Sequence, residues 1–372
     1  MVGAVIFILG TYFYFLVYLI AGWIKMRRTK APNPVDHKLT VLVALRNETA
    51  NAEQLLTSLI AQDYPDYEII LIDDHSEDST GDVITAFLLK HPEQAKNIYY
   101  LKSEGVGKKA ALTTGVIHAK GEIVVTTDAD CTHGTQWLRI ISNSFTEDVN
   151  MITGGVTMKQ TGVLFDDMQA IEFASLIGTS ASTLALGMPT MCNGANLAFR
   201  KSAFMEVGGY KENMHVASGD DEFLMRKIND RYHGTIRFLN DPRSVVATKP
   251  CSTVWEFIQQ RIRWAGKWRY NTSLMTTFVA FYVIIVQASL LTALLLLPIS
   301  SDYLWISAIL IIRLVLEYWF LYKVSRFLNV RWSTLAFLAL QILYPWYVIL
   351  VGMTASFMPY SWKERRWRQS VS

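Results

Sequence analysis

Apolar residues gather at the two ends of this chain and alternate with polar ones between them. Met1 to Ile24 holds no charged residue and, at about 1.5 Å of rise per helical residue, is long enough to cross a bilayer. Lys25, Arg27, Arg28 and Lys30 follow at once. A secretory signal carries its positive charge ahead of a shorter apolar core, so the reversed order predicts a retained anchor whose C-terminal end faces the cytoplasm. Three further apolar segments run from Leu274 to Ser300, from Tyr303 to Tyr322 and from Trp332 to about Pro359. Arg313 and Glu317 fall on one helix face of the middle segment, where an ion pair turned toward the helix bundle is expected. Pro345 predicts a kink or a break in the last.

Between the ends, from Lys38 to Asp241, short β-branched runs alternate with amphipathic stretches. Leu39 to Ala44 reads as a buried strand, and Glu48 to Ala61 as a helix with Leu55, Leu56, Leu59 and Ile60 inward. Tyr67 to Ile72 is a second strand and ends at Asp73-Asp74-His75-Ser76; a helix from about Ser79 to His91 and a strand from Ile98 to Leu101 come next. Gly105-Val106-Gly107-Lys108-Lys109 then opens a helix to His118. A fourth run, Glu122 to Val125, leads into Thr126-Thr127-Asp128-Ala129-Asp130. Such alternation predicts an α/β domain with a mostly parallel sheet and helices on both faces. Carboxylates, a Gly-Lys turn and an Asp pair would then share the carboxyl edge of the sheet, where ligands bind in such folds.

The pattern predicts an N-terminal transmembrane helix over 1–24, a basic linker over 25–37 and a cytoplasmic catalytic domain over 38–252. It continues with an amphipathic helix over 253–271, three transmembrane segments over 272–359 and a basic tail over 360–372. Composition narrows the partners. Of 372 residues 51% are hydrophobic, and the net charge is only +3 with the basic residues beside the apolar segments, which suits anionic lipid head groups and gives no nucleic-acid platform. Cys131, Cys192 and Cys251 lack Cys-x-x-Cys spacing, so neither a disulfide framework nor a zinc site follows, and a reducing compartment is the simplest fit. The turn at Gly105 to Lys109 matches neither the dinucleotide fingerprint nor the P-loop.

Candidate chemistry rests on carboxylates. Asp128 and Asp130, one residue apart on a chain leaving the sheet, can aim their oxygens at one hard cation and leave coordination positions for substrate phosphates, although Asp is equally at home in turns. Asp221 opens a helix with Phe223, Leu224 and Ile228 on its apolar side and can serve as a general base or as a helix-start charge. Thr253 to Tyr270 has an apolar face of Val254, Phe257, Ile258, Ile262, Ala265 and Trp268 and a second face of Gln260, Arg263, Trp264 and Lys267. Trp255, Arg261 and Arg269 flank it, as in a helix lying in a membrane interface. Asp166 to Ile177 reads as another interfacial helix or as a core helix.

Taken in order, Val41 to Glu48, Tyr67 to Ser76, Gly107-Lys108 with Ala111-Leu112, Thr127 to Asp130, Asn193 to Arg200, Gly208-Gly209-Tyr210, Gly219 to Leu224 and Gln260 to Trp264 resemble the family 2 inverting glycosyltransferases over roughly residues 38 to 270. That resemblance implies a GT-A fold, a nucleotide-sugar donor and a divalent metal, Mn²⁺ or Mg²⁺. It implies that Asp74 holds the uracil or ribose side of the donor, that Ala44 and Glu48 line the nucleotide pocket and that Lys108 sits near it. Asp128 and Asp130 would meet the nucleotide and, through metal, the diphosphate. Asp221 would be the catalytic base, with Asp220 beside it where Glu is usual. Gln260, Arg263 and Trp264 would close over diphosphate and acceptor. His75 stands where Gly is common.

The resulting expectation is an integral inner- or plasma-membrane enzyme that moves a sugar, from a UDP-sugar first of all, to a lipid or lipid-linked glycan in cell-envelope glycan synthesis. A processive synthase of the cellulose or hyaluronan type is the alternative for the acceptor. A nucleotidyltransferase, and a transporter or scaffold with a degenerate domain, are the alternatives of other classes. Three closing spans would put the basic tail outside, against the positive-inside rule; a full last span is nevertheless expected, because Trp332 to Trp362 is uncharged.

Overall fold

The computed structural model describes residues 2–26, 36–214, 216, 219–266, 274–355, 360–362 and 365–367, with 274–277, 280, 360–362 and 365–367 described by backbone alone. The chain divides into two compact units. One comprises Met26–Lys159 and Thr183–Lys249; the other comprises Met1–Lys25, Gln160–Ser182 and Pro250–Ser372. The segment Gln160–Ser182 therefore belongs with the terminal segments and not with the catalytic domain expected over 38–252.

The first unit is built on strands β1 (Leu39–Leu45), β2 (Tyr67–Asp73), β3 (Ile98–Lys102), β4 (Ile123–Asp128), β5 (Met151–Gly154), β6 (Val156–Met158), β7 (Leu197–Arg200), β8 (Ile236–Leu239) and β9 (Val246–Thr248). Seven of them form one sheet in the order β3-β2-β1-β4-β7-β5-β8. Pairing is parallel except where β7 runs antiparallel between β4 and β5. β6 and β9 pair separately, in parallel. The register sets Leu45 opposite Asp73 and Ala44 opposite Asp128, so three strands deliver their last residues to one edge. Leu42, Ile70, Ile72 and Val124 of these strands pack with Leu112 and Val116 of the helix Lys108–His118 and with Leu224 and Ile228 of the helix Asp220–Arg231.

One expected element is shorter. The helix expected from Glu48 begins at Ala52, because Glu48 is committed elsewhere. Its backbone N–H donates to Thr80 Oγ1 at 2.7 Å, its carboxylate accepts from Asn51 Nδ2 at 2.7 Å, and its carbonyl takes the amides of Asn51 and Ala52.

The second unit is helical: Val2–Lys25, most of Leu164–Ala185, Val254–Gly266, Leu274–Leu296, Tyr303–Phe327 and Thr334–Thr354. Among the described residues three helices, Val2–Lys25, Tyr303–Phe327 and Thr334–Thr354, are long and apolar enough to cross a membrane; Phe281–Leu296 is a shorter apolar stretch. Pro345 lies inside an unbroken helix, so the last segment is not split. Arg313 makes the expected pair with Glu317, at 2.9 and 3.0 Å, and also donates to Gln341 at 2.8 Å; Glu317 accepts from Tyr12 at 2.8 Å. Two helices of this unit cross closely at Gly22, where any Cβ would come within 2.3 Å of the Ser182 carbonyl oxygen. Part of the sequence expected as a tail, Tyr360–Trp362 and Arg365–Trp367, forms a two-stranded antiparallel ribbon.

Candidate active site

The carboxyl ends of β1, β2 and β4 bring together several of the residues that the sequence singled out. Asp74, only 1% exposed, stands just past β2; its amide donates to the Leu45 carbonyl at 2.7 Å and its Oδ1 accepts the Gly107 amide at 2.9 Å. That oxygen is spent on holding the Gly-Lys turn. Next to it, His75 has φ 56°, a left-handed backbone that explains why glycine is common there in the family it resembles. Arg46 fixes the same loop by donating to the Asp74 carbonyl at 3.1 Å and the His75 carbonyl at 2.5 Å.

The turn aims Lys108 at two carboxylates. Its Nζ lies 2.7 Å from Asp128 Oδ1 and 3.2 Å from Asp220 Oδ2. Burial would lower the Lys108 ammonium, but Asp128 and Asp220 outweigh it and hold the group well above the usual lysine range. Burial would likewise raise the Asp220 carboxyl, yet Lys108 and then Lys109 hold it below the usual range. A charged trio results, spanning β4, the Gly-Lys turn and the start of the helix Asp220–Arg231.

Asp130 differs. Burial first, and then the neighbouring Asp128 carboxylate and Glu48, push its carboxyl up, partly countered by Thr248 Oγ1, which donates to Oδ2 at 3.0 Å. Asp128 and Asp130 thus repel each other across a partly buried gap. Among the described residues no three His, Cys, Asp or Glu side chains are grouped to hold a metal ion. A cation at the Asp pair would therefore have two protein carboxylates and would take the rest of its shell from phosphate and water, which is how Mg²⁺ is usually held at phosphate sites.

Asp221 is oriented by backbone. Its Oδ2 accepts the Gly194 amide at 3.0 Å and its Oδ1 the Glu222 amide at 2.7 Å. Gly194 is one of the residues whose role sequence reasoning missed. A Cβ there would sit 3.2 Å from Asp220 Oδ2, 3.3 Å from Lys108 Nζ and 3.6 Å from Asp221 Cβ. The available signal was the Asn193-Gly194-Ala195-Asn196 run, which carried the resemblance without an assigned part. Asn196 is a brace: its Nδ2 donates to the Gly155 and Ser244 carbonyls at 2.9 Å each, and its Oδ1 accepts from Trp137 Nε1 at 3.0 Å. His133 was missed too. Its ring nitrogens lie 2.8 Å from Thr127 Oγ1 and 3.0 Å from Ser58 Oγ, its ring rests against Trp137, and burial lowers it to about 3.

The first unit gathers Ala44, Glu48, Asp74, Lys108, Asp128, Asp130, Asp220 and Asp221. Gln260, Arg263 and Trp264 belong to the second unit, on the helix Val254–Gly266. There Val254, on the expected apolar face, is exposed, and Arg261, expected at the flank, is buried against Glu172. Lys267 and Arg269 lie outside the described residues.

A sheet of this order with an Asp-x-Asp at the end of its central strand defines a GT-A glycosyltransferase. The family model for glycosyl transferase family 21 matches residues 3–371, and the chain belongs to that family. The likeness to family 2 read from the motifs holds as a GT-A, inverting type of transferase. Poly-β-1,6-N-acetyl-D-glucosamine synthase from Staphylococcus epidermidis is 25% identical over 265 residues, covering 70% of this chain and 62% of that protein. Its counterpart from Staphylococcus aureus strain COL is 29% identical over 231 residues, covering 61% of this chain. The chain thus spans 62% and 53% of the length of these relatives. A mannosyltransferase from Pyrobaculum calidifontis, solved with GDP-Man and Mn²⁺, shares the fold with a TM-score of 0.58 at 19% identity, covering 96% of this chain and 99% of that one.

Proposed function

We propose that this chain is a metal-dependent inverting glycosyltransferase that takes a sugar from a nucleotide-sugar donor, a UDP-sugar first of all, and adds it to a lipid or lipid-linked glycan, with its catalytic unit in the cytoplasm. The observation that carries the reading is the Asp128–Lys108–Asp220 trio beside the amide-held Asp221.

Asp221 is the base. Asp220 and Asp128 share Lys108, while Asp221 is fixed in place by the Gly194 and Glu222 amides. The acceptor oxygen bonds to the anomeric carbon as the bond from that carbon to the diphosphate breaks, and the hydroxyl proton ends on Asp221. Asp128 and Asp130 are the residues that fit a divalent cation, which when bound stabilises charge on the departing diphosphate. Glu48, Ala44 and Asp74 shape the donor side, Asp74 by holding Gly107. Gln260, Arg263 and Trp264 serve diphosphate and acceptor, as the resemblance implies.

The membrane unit supports a lipid acceptor. Arg313, Glu317, Gln341 and Tyr12 satisfy one another within the helices, whereas a polymer crossing the bilayer would need such groups for its own hydroxyls. An acceptor whose lipid stays in the bilayer needs none of them. The second reading, a processive synthase, is favoured by the names of the staphylococcal relatives. To decide, the reconstituted protein is incubated with labelled donor and extracted with organic solvent. Label in the lipid phase supports the proposal; a long water-soluble glycan contradicts it.

A further inference from the structure

The helix Val254–Gly266 carries an arginine to which no role has been given. Arg261 is 4% exposed, and its partner Glu172, from the helix Leu164–Ala185 of the same unit, is 3% exposed. Arg261 grips both Glu172 oxygens, with Nε to Oε1 at 3.1 Å and Nη2 to Oε2 closing the fork. Tyr347, from the helix Thr334–Thr354, donates its hydroxyl to Glu172 Oε1 at 2.9 Å. A bidentate pair this deeply buried fixes rotation as well as distance.

The far side of the same guanidinium touches two residues of the Gln-x-x-Arg-Trp signature. Nη1 donates to Gln260 Oε1. Arginine has only donors, so the amide oxygen of Gln260 must face it and the NH₂ must face away. The guanidinium also lies 4.3 Å from the ring centre of Trp264 and 4.3 Å from that of Phe257, while Phe173 bounds the Trp264 ring at 5.9 Å between centroids. One buried cation thus sets the polarity of Gln260 and the plane of Trp264.

We infer that Arg261, locked by Glu172 and Tyr347, is a positioning residue that makes Gln260 an outward hydrogen-bond donor, suited to a phosphate or sugar oxygen, and holds Trp264 in its working plane. The inference deepens the proposed function and rests on it for the identity of the oxygen.

The test uses the full chain in lipid vesicles, a panel of UDP- and GDP-sugars, and Mn²⁺. Gln260→Glu still pairs with Arg261 but replaces the outward NH₂ by an acceptor. It should lose activity as fully as Gln260→Ala, by roughly tenfold to a hundredfold. Arg261→Lys and Glu172→Gln should lower kcat by about tenfold or more with donor KM within about twofold, since a lysine cannot hold the fork and both rings at once. Gln260→Glu that keeps half or more of wild-type activity overturns the inference, as do Arg261→Lys and Glu172→Gln with unchanged kcat. A wild type that releases no nucleotide from any donor defeats the proposed function instead. The inference is then decided by the Trp264 fluorescence obtained as wild type minus Trp264→Phe: a shifted emission in Arg261→Lys supports it, and an unaltered one overturns it.

Discussion

The Gly194 amide donates to Asp221 Oδ2 at 3.0 Å, and the space where a side chain would stand at Gly194 is bounded by Asp220 and Lys108. Glycine is needed there for room. Gly194→Val should lower kcat by about a hundredfold, the usual cost of displacing a catalytic group by about an ångström, while Gly194→Ala costs less. Steady-state kinetics with the thermal midpoint as control checks this; a Gly194→Val enzyme of normal kcat would separate the glycine from the base.

Removing Lys108 leaves two carboxylates facing each other without their cation. Lys108→Met should destabilise the catalytic unit by about 3 kcal/mol, as for other broken buried pairs, and abolish turnover. Asp220→Asn added to it should recover part of the stability, because the repulsion goes with it. Denaturation of the single and double variants measures the coupling, and strict additivity would contradict the trio.

His133 sets a pH dependence of stability. Its folded value is about 3 against an ordinary 6.5. Above pH 6.5 neither the folded nor the unfolded chain carries the charge. Below it the unfolded chain takes up a proton that the folded chain refuses until about pH 3, so stability falls with acid by up to about 1.4 kcal/mol per pH unit. His133→Gln keeps a donor and an acceptor and cannot titrate. Its thermal midpoint should change less between pH 6.5 and 4 than that of the wild type; parallel curves would contradict the burial of a neutral imidazole.

The first four strands were legible because buried β-branched runs ending in carboxylates mark the edge of a parallel sheet. Leu39, Tyr67 and Ile98 begin strands where the pattern places them, and the run read from Glu122 begins one residue later, at Ile123. What escaped depends on contacts distant in sequence. Nothing local to Arg261 announces Glu172, 89 residues away, and helical periodicity alone makes it a flank. Gly194 and His133 act through backbone room and hydroxyl partners that no spacing encodes. Glu48 was read as helix because its neighbours are, whereas its amide and carboxylate are taken by Thr80 and Asn51.

The orientation in the membrane is proposed from the charge that follows the first helix. Residues 25 to 273 are proposed to lie in the cytoplasm and the helices Leu274–Leu296, Tyr303–Phe327 and Thr334–Thr354 all to span fully, leaving position 370, outside the described residues, on the far side. A cysteine introduced at Ser370 should react with an impermeant label on intact cells. Labelling only after the membrane is opened would contradict three closing crossings.

Asp221 is proposed to take the acceptor proton while Asp128 and Asp130 serve the donor through a divalent cation. Nucleotide release is measured with the full chain in lipid vesicles against the panel of UDP- and GDP-sugars, with Mn²⁺ or with EDTA. Release should need the metal, be abolished by Asp128→Asn and Asp130→Asn, and be lost in Asp221→Asn while donor binding is kept. Substantial transfer by Asp221→Asn would contradict it.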